Sequence, residues 1–223
     1  MSAPPQRRTP LRLGVLFSGG GRTLENLALK IREGSLQAEI AIAISSHREA
    51  AGIVRAQRLG IPCVVIDYRE RRSSFSLDIQ KELDDAGAEL IVLAGFIRHY
   101  DFPPHHAGKM LNIHPALLPA FGGKGCYGEH VHEAVLSSGV KFSGCTVHFV
   151  TEEYDSGPII LQRVVPVLPG DTPETLAARV FTEECIAYPE AIRIYAEGRL
   201  EVRDGRVILE ERDSYSSAPM NPK

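Results

Sequence analysis

The 223-residue sequence contains no tryptophan, and its four cysteines (Cys63, Cys126, Cys145 and Cys185) form no CxxC pair and keep no regular spacing. A disulfide framework and a cysteine-rich zinc module are therefore not indicated, and ordinary thiols in a reducing compartment are expected. No stretch comes near the roughly 18 uninterrupted apolar residues of a membrane span. The opening MSAPPQRRTP lacks the apolar core of a secretory signal. A cytoplasmic protein without membrane association is the expectation. Charge of one sign is missing too: 25 basic residues face 28 acidic ones, for a net charge of −3. That balance argues against a broad nucleic-acid-binding surface, though not against a local basic pocket. The P-loop lysine with its Ser/Thr, the GxSxG elbow and any cysteine beside a base are also absent.

What is present is ordinary globular material, 43% hydrophobic and 24% charged. Short apolar runs alternate with amphipathic stretches. Leu11–Phe17, Glu39–Ile44, Cys63–Asp67, Leu90–Leu93 and Met110–His114 are predicted strands. Leu24–Arg32, Arg48–Leu59 and Phe75–Ala86 are predicted helices, the last with Leu77 and Leu83 on its apolar side. The alternation predicts an α/β fold: a single domain with a Rossmann-like, open, mostly parallel sheet and helices on both faces. After about residue 125 the pattern changes. A helix is expected over Tyr127–Ser138 and strands over Cys145–Val150 and Ile159–Val167. A long helix from Pro173 to about Glu197 is expected to be capped by Asp171 or Thr172, with Pro189 as a candidate break or kink. Arg199–Leu209 predicts a hairpin around Asp204-Gly205. The domain is expected to span 11–209, between a disordered tail at 1–10 and a flexible one at 210–223.

The first functional signal is the turn Ser18-Gly19-Gly20-Gly21-Arg22-Thr23 between the first strand and helix. Glycines let backbone N–H groups approach an anion, and the helix N-terminus favours negative charge. Leu24 replaces the third small residue of a dinucleotide fingerprint, and no acid follows the second strand to hold a ribose. A phosphate monoester fits better than NAD or ATP, and a tight turn with no ligand is the bland alternative.

The second signal is Asn112 and His114, two residues apart on a strand and so on one face. Pro115 follows at once. Asp155 lies downstream in Tyr154-Asp155-Ser156-Gly157-Pro158. An amide N–H and an imidazolium can stabilise a tetrahedral oxyanion, and a nearby carboxylate is expected to raise the histidine pKa. Acyl transfer without a covalent intermediate suits these types. Read alone, such a pair is more often structural.

The blocks VLFSGGGRTL, VLAGFIR, LNIHPALLP and TVHFVTEEYDSGPIILQ, in that order, resemble the folate-dependent formyltransferases, over about Leu11–Gly198. The resemblance implies transfer of a formyl group from 10-formyltetrahydrofolate, as co-substrate and without a metal, to the amine of glycinamide ribonucleotide in purine biosynthesis. It implies Asn112, His114 and Asp155 as the catalytic set. Gly19, Gly20, Gly21, Arg22 and Thr23 would hold the ribonucleotide phosphate, with Glu184 near the glycinamide. Folate would contact Ile97, Arg98, His99, Tyr100, Asn112 and Thr151, Glu152, Glu153, Tyr154 and Asp155, with Arg72 as a further candidate. The stretch Phe121–Gly128 is more glycine-rich than in some members, and Lys124 there could reach an anion. A monomer or homodimer is expected.

Two enzymes sharing the motif are rivals. A formyltetrahydrofolate hydrolase usually carries an extra N-terminal domain, and a methionyl-tRNA formyltransferase a C-terminal barrel and a basic surface. A non-catalytic folate- or nucleotide-binding protein is the rival of another class. The remaining histidines point elsewhere. His130 and His132 sit two apart on a helix and so face different ways, which spoils a metal site. His105-His106, after two prolines, is expected in solvated loop. His148 is expected on the opposite strand face from Val147 and Phe149, either near the site or as a hydrogen-bonded strand residue.

Overall fold

The computed structural model describes residues 9–210. The two predicted tails lie almost wholly outside the described residues.

A seven-stranded sheet has the order β3-β2-β1-β4-β5-β6-β7. Its strands are β1 (Leu11–Phe17), β2 (Ala38–Ser45), β3 (Cys63–Val65), β4 (Leu90–Leu93), β5 (Met110–His114), β6 (Phe142–Phe149) and β7 (Ile159–Pro166). The first five pair in parallel, and β6 and β7 add an antiparallel edge. The parallel strands are apolar on both faces because helices cover both. Along β1, Leu11, Leu13, Val15 and Phe17 join one core with α1 (Arg22–Arg32), α2 (Ala51–Arg58), α4 (Glu129–Ser138) and α5 (Pro173–Ala196). Leu16 faces the other core, which α3 (Phe75–Asp85) closes with Phe75, Ile79 and Leu83.

The predicted order of elements holds, with local corrections. Leu77 is exposed, because the buried stripe of α3 repeats every four residues from Phe75 and Leu77 falls off it. The second helix begins at Ala51 rather than Arg48, since Asp67 draws the Arg48 N–H into a turn at 3.1 Å. The fourth begins at Glu129 rather than Tyr127, because Gly128 has φ 59° and cannot belong to it. The hairpin forms as β8 (Leu200–Arg203) and β9 (Arg206–Leu209).

Pro189 does not end α5. A proline leaves the carbonyl four residues earlier without its helical N–H. That carbonyl belongs to Cys185, and Nδ2 of Asn26 on α1 donates to it at 3.1 Å. Thr172 caps the helix, accepting from the Thr175 N–H at 3.3 Å. Tyr188, fully buried, sets its hydroxyl between the carbonyls of Leu93 and Leu111 at 3.0 and 2.8 Å. Helix α5 is thereby tied to α1 on one side and to the carboxyl end of β4 and the start of β5 on the other.

His106 also departs from expectation. It is buried, with its Nδ1 2.9 Å from the Tyr100 hydroxyl and its Nε2 3.1 Å from Asp84. Burial, opposed by Asp84, lowers its pKa. Only His105 of that pair is exposed.

Candidate active site

A cleft of about 940 Å³ opens over the carboxyl ends of β1, β4 and β5, where open parallel sheets gather ligands. Its size is that of a small-molecule site. It unites the glycine turn, Ile97–Tyr100, Asn112 and His114, the 123–129 loop, Thr151–Asp155 and Glu184. Residues distant in sequence meet here because most lie at or just after the carboxyl ends of strands on one side of the sheet, while Glu184 reaches the same space from within α5.

At the glycine turn, Gly21 caps α1 with φ 73°, a conformation that side chains resist. A Cβ there would also lie 2.6 Å from the Gly52 Cα. Gly52 in turn donates its N–H to the Gly19 carbonyl at 3.1 Å. The two glycines allow α2 to brace the turn, and the first N–H groups of α1 have no partner within the helix. Beside them the Arg22 guanidinium lies 4.2 Å over the Phe181 ring. Below, Glu184 is deprived of water, which pushes its carboxyl up to about 7 against the opposing charge of Arg22.

On β5 the pleat sends Met110, Asn112 and His114 to one face. Met110 packs into the α3 core, and the two polar residues continue past the part that α3 covers. Opposite Asn112 on β6 stands His148. The Asn112 Nδ2 lies 3.1 Å from the His148 Nε2 and 3.3 Å from the Asp155 Oδ1. His148 Nδ1 is 2.8 Å from the Phe149 carbonyl, which can only accept. A ring with one proton carries it on Nδ1 and accepts from Asn112 at Nε2, whereas a ring with two turns an Nε2 donor toward the Asp155 Oδ1, 3.6 Å away. Beside the singly protonated ring, both amide hydrogens of Asn112 are committed.

His114 is fixed by the same logic. Its Nε2 lies 2.8 Å from the Phe121 carbonyl and must donate, so the neutral ring presents an unprotonated Nδ1 to the Asp155 Oδ2, 3.5 Å away. A proton taken up at Nδ1 would lie between ring and carboxylate. The sequence expectation of a raised pKa is corrected. Burial lowers His114 below its ordinary 6.5, and the Asp155 charge and the Phe121 carbonyl only partly offset it. Burial acts on Asp155 as well, raising it. There His148, His114 and the Gly123 N–H win, and the carboxyl stays below its usual range.

The loop joining these groups is pinned at several points. Gly123 donates its N–H to the Asp155 Oδ2 at 3.0 Å, and a Cβ on Gly122 would collide with Leu118 and press on Asp155. Thr146 Oγ1 donates to the Ala116 carbonyl at 2.7 Å and accepts the Leu118 N–H at 3.0 Å, fixing the path after Pro115. Asp155 itself has φ 53°.

Of the expected folate-side residues, Ile97, Arg98, His99 and Thr151–Tyr154 line the cleft, with the His99 and Tyr154 rings 5.9 Å apart. Tyr100 contributes to the wall but turns its hydroxyl to His106. Arg72 is not among the lining residues. It stands 5.8 Å from the Tyr68 ring, which Arg98 approaches at 4.9 Å. Lys124 lines the cleft.

Two lining histidines stand outside the sequence-based set of site residues. His148 faces Asn112 only once β6 is known to run antiparallel to β5. His132 is buried on α4 with its Nδ1 unpartnered, while His130 points outward. Its helical phase predicted the separation from His130 but gave no sign of the cleft.

The chain and its fold are also similar to known proteins. Residues 11–192 match the formyl transferase family model. The chain is 42% identical over 201 residues to the trifunctional purine biosynthetic protein adenosine-3 of Bos taurus, covering 88% of this chain and 19% of that one. The chain thus spans about a fifth of that relative's length. It is 38% identical to the chloroplastic phosphoribosylglycinamide formyltransferase of Arabidopsis thaliana, over 93% of this chain and 72% of the relative. The crystal structure of glycinamide ribonucleotide transformylase 1 from Symbiobacterium toebii superposes with a TM-score of 0.84 at 41% identity, covering 92% and 96% of the two chains.

Proposed function

The chain belongs to the formyl transferase family, and from that premise we propose that it transfers the formyl group of 10-formyltetrahydrofolate to the amine of glycinamide ribonucleotide in purine biosynthesis, in the cytoplasm. The observation that carries this reading is the single cleft holding both the glycine turn and the Asn112–His114–Asp155 cluster, with Glu184 in the same cleft. One end suits a phosphate, the other suits an acyl-transfer centre, and a carboxyl is available for the amine.

The glycine turn and Arg22 hold the ribonucleotide phosphate, and Glu184 orients the glycinamide amine. Ile97, Arg98, His99 and the Thr151–Tyr154 loop hold the folate. As the amine attacks the formyl carbon, negative charge builds on the formyl oxygen. Asn112 meets it by giving up the longer of its two hydrogen bonds, the one to Asp155. His114, neutral at rest, takes the amine proton on Nδ1. The resulting imidazolium is stabilised by Asp155, and the proton then passes to the departing folate nitrogen, releasing tetrahydrofolate. Such general acid–base help contributes roughly 10²–10⁴-fold.

The test mixes the protein with 10-formyltetrahydrofolate, with and without glycinamide ribonucleotide. Formyl loss that needs the ribonucleotide, with the N-formylated product recovered, is the expected result. Formyl loss without it would mean a hydrolase, and binding with no turnover a non-catalytic protein.

A further inference from the structure

On the face that α3 covers, three side chains converge that the transfer reaction does not use. Asp84 lies in the last turn of α3, and His105 and His106 lie in the short turn Pro104–His106. The Nε2 atoms of both imidazoles sit 3.1 Å from one oxygen, Oδ1 of Asp84. One ligand atom from each residue falls within 4.8 Å of the others. Two ring N–H groups sharing one carboxylate oxygen would also explain the contacts, so further features must decide.

Three do. The first is spacing. With bonds of about 2.0–2.1 Å to a tetrahedral zinc ion, neighbouring ligand atoms stand roughly 3.3 Å apart, close to the separation of each nitrogen from the oxygen here. The second is support behind the ligands. His106 is buried, and its Nδ1 is held 2.9 Å from the Tyr100 hydroxyl, which can accept from Nδ1–H when Nε2 binds a metal. Asp84 is steadied through its other oxygen by Gln80 at 3.4 Å. The third is electrostatic. The carboxyl end of a helix carries partial negative charge, and α3 has no basic residue in its last turn. His105 and Asp84 are about half exposed, which leaves an ion a way in.

We propose that Asp84, His105 and His106 bind a zinc-class divalent ion, with water in the fourth position. Two imidazoles and a carboxylate suit zinc better than magnesium or calcium, which favour oxygen. The ion would bind neutral imidazoles with their protons on Nδ1 and would link the end of α3 to Tyr100. It is a brace for the wall that carries Ile97–Tyr100 and takes no part in formyl transfer.

The test titrates chelator-treated protein with Zn²⁺ against a chromophoric competitor, and with Co²⁺ for its absorption spectrum. One Zn²⁺ per chain and a tetrahedral Co²⁺ spectrum are expected. Affinity should fall by more than about tenfold in His105→Ala and in Asp84→Asn. It should be unchanged in His130→Ala, which removes the other exposed histidine–acid pair. His105 is exposed, so its variant keeps the fold, and a thermal melt checks this. Zn²⁺ should raise the melting temperature of the parent protein but not that of His105→Ala. Binding that survives unchanged in both ligand variants, a six-coordinate Co²⁺ spectrum, or no stoichiometric uptake would each overturn the proposal.

Discussion

Asn112 and His148 face each other across β5 and β6, with the amide nitrogen of the first 3.1 Å from Nε2 of the second. The Phe149 carbonyl holds the proton of the neutral ring on the far side of the histidine, so this contact then has a fixed polarity. His148 therefore aims the Asn112 amide. His148→Leu should lower kcat by about a hundredfold, the usual effect of a reacting group displaced by an ångström. KM for both substrates should change little. A kcat close to the parent value, in a variant whose melt shows it folded, would remove His148 from any positioning role.

The His114–Asp155 pair gives a pH signature. His114 lies below its ordinary 6.5 because burial outweighs the carboxylate. The neutral ring is the proton acceptor, so activity should persist as the pH falls through 6.5 and be lost below it. Asp155→Asn removes an influence that raises the ring's pKa. The acid limb should then shift to lower pH while the plateau drops roughly 10²–10⁴-fold. An acid limb displaced upward would contradict the assigned roles.

Glu184 sets a second pH dependence. With its carboxyl at about 7, the group loses its charge as the medium is acidified through neutrality. KM for the ribonucleotide should rise below pH 7 while KM for the folate stays flat. In Glu184→Gln the ribonucleotide KM should be high at every pH. A profile in the variant that still bends near 7 would assign the ionisation to another group.

Acid should also weaken the fold. His106, His114 and His132 all have lowered pKa values, with burial the largest cause in each. The unfolded chain takes up protons near 6.5 while the folded one does not. Their contribution to stability is complete above 6.5 and is lost as the pH falls through the folded values. Each contributes a slope of up to about 1.4 kcal/mol per pH unit in that window. Denaturant melts from pH 7.5 to 5.5 should show stability falling, less steeply in His132→Phe. Glu184 acts in the opposite sense over this range, since its carboxyl gains a proton in the fold near 7 but not in the unfolded chain, so the melts use Glu184→Gln; a flat profile there would mean that these rings take up protons in the fold as readily as outside it.

Gly21→Ala tests the anion end. The left-handed backbone alone costs an alanine about 1–2 kcal/mol, and contact with Gly52 adds to it. The turn should shift and the ribonucleotide KM rise. Unaltered binding of glycinamide ribonucleotide by calorimetry would place the phosphate elsewhere.

Much of this was legible in the chain because the signals are local. Apolar runs marked the strands of a sheet covered on both faces, and the Asp204-Gly205 turn closed its hairpin as expected. Asn112 and His114 declared a shared face by spacing. What stayed hidden depends on tertiary placement. His148 gains meaning only from its register against Asn112, and His106 only from Tyr100 and Asp84. The lowered pKa of His114 reverses the sequence expectation because a neighbouring carboxylate can be read from the chain but the depth of burial cannot. That α5 runs on through Pro189 was hidden for the same reason, since Asn26 lies on another helix.

That last contact couples residues 26 and 189 energetically. Pro189→Ala would restore the missing rung and leave Asn26 spare, whereas Asn26→Leu alone would strand the Cys185 carbonyl at a cost of about 1–3 kcal/mol. The two changes together should cost less than their sum. A gap in one helix thus serves as the socket that sets how the first helix, and the anion end it carries, is turned toward the cleft.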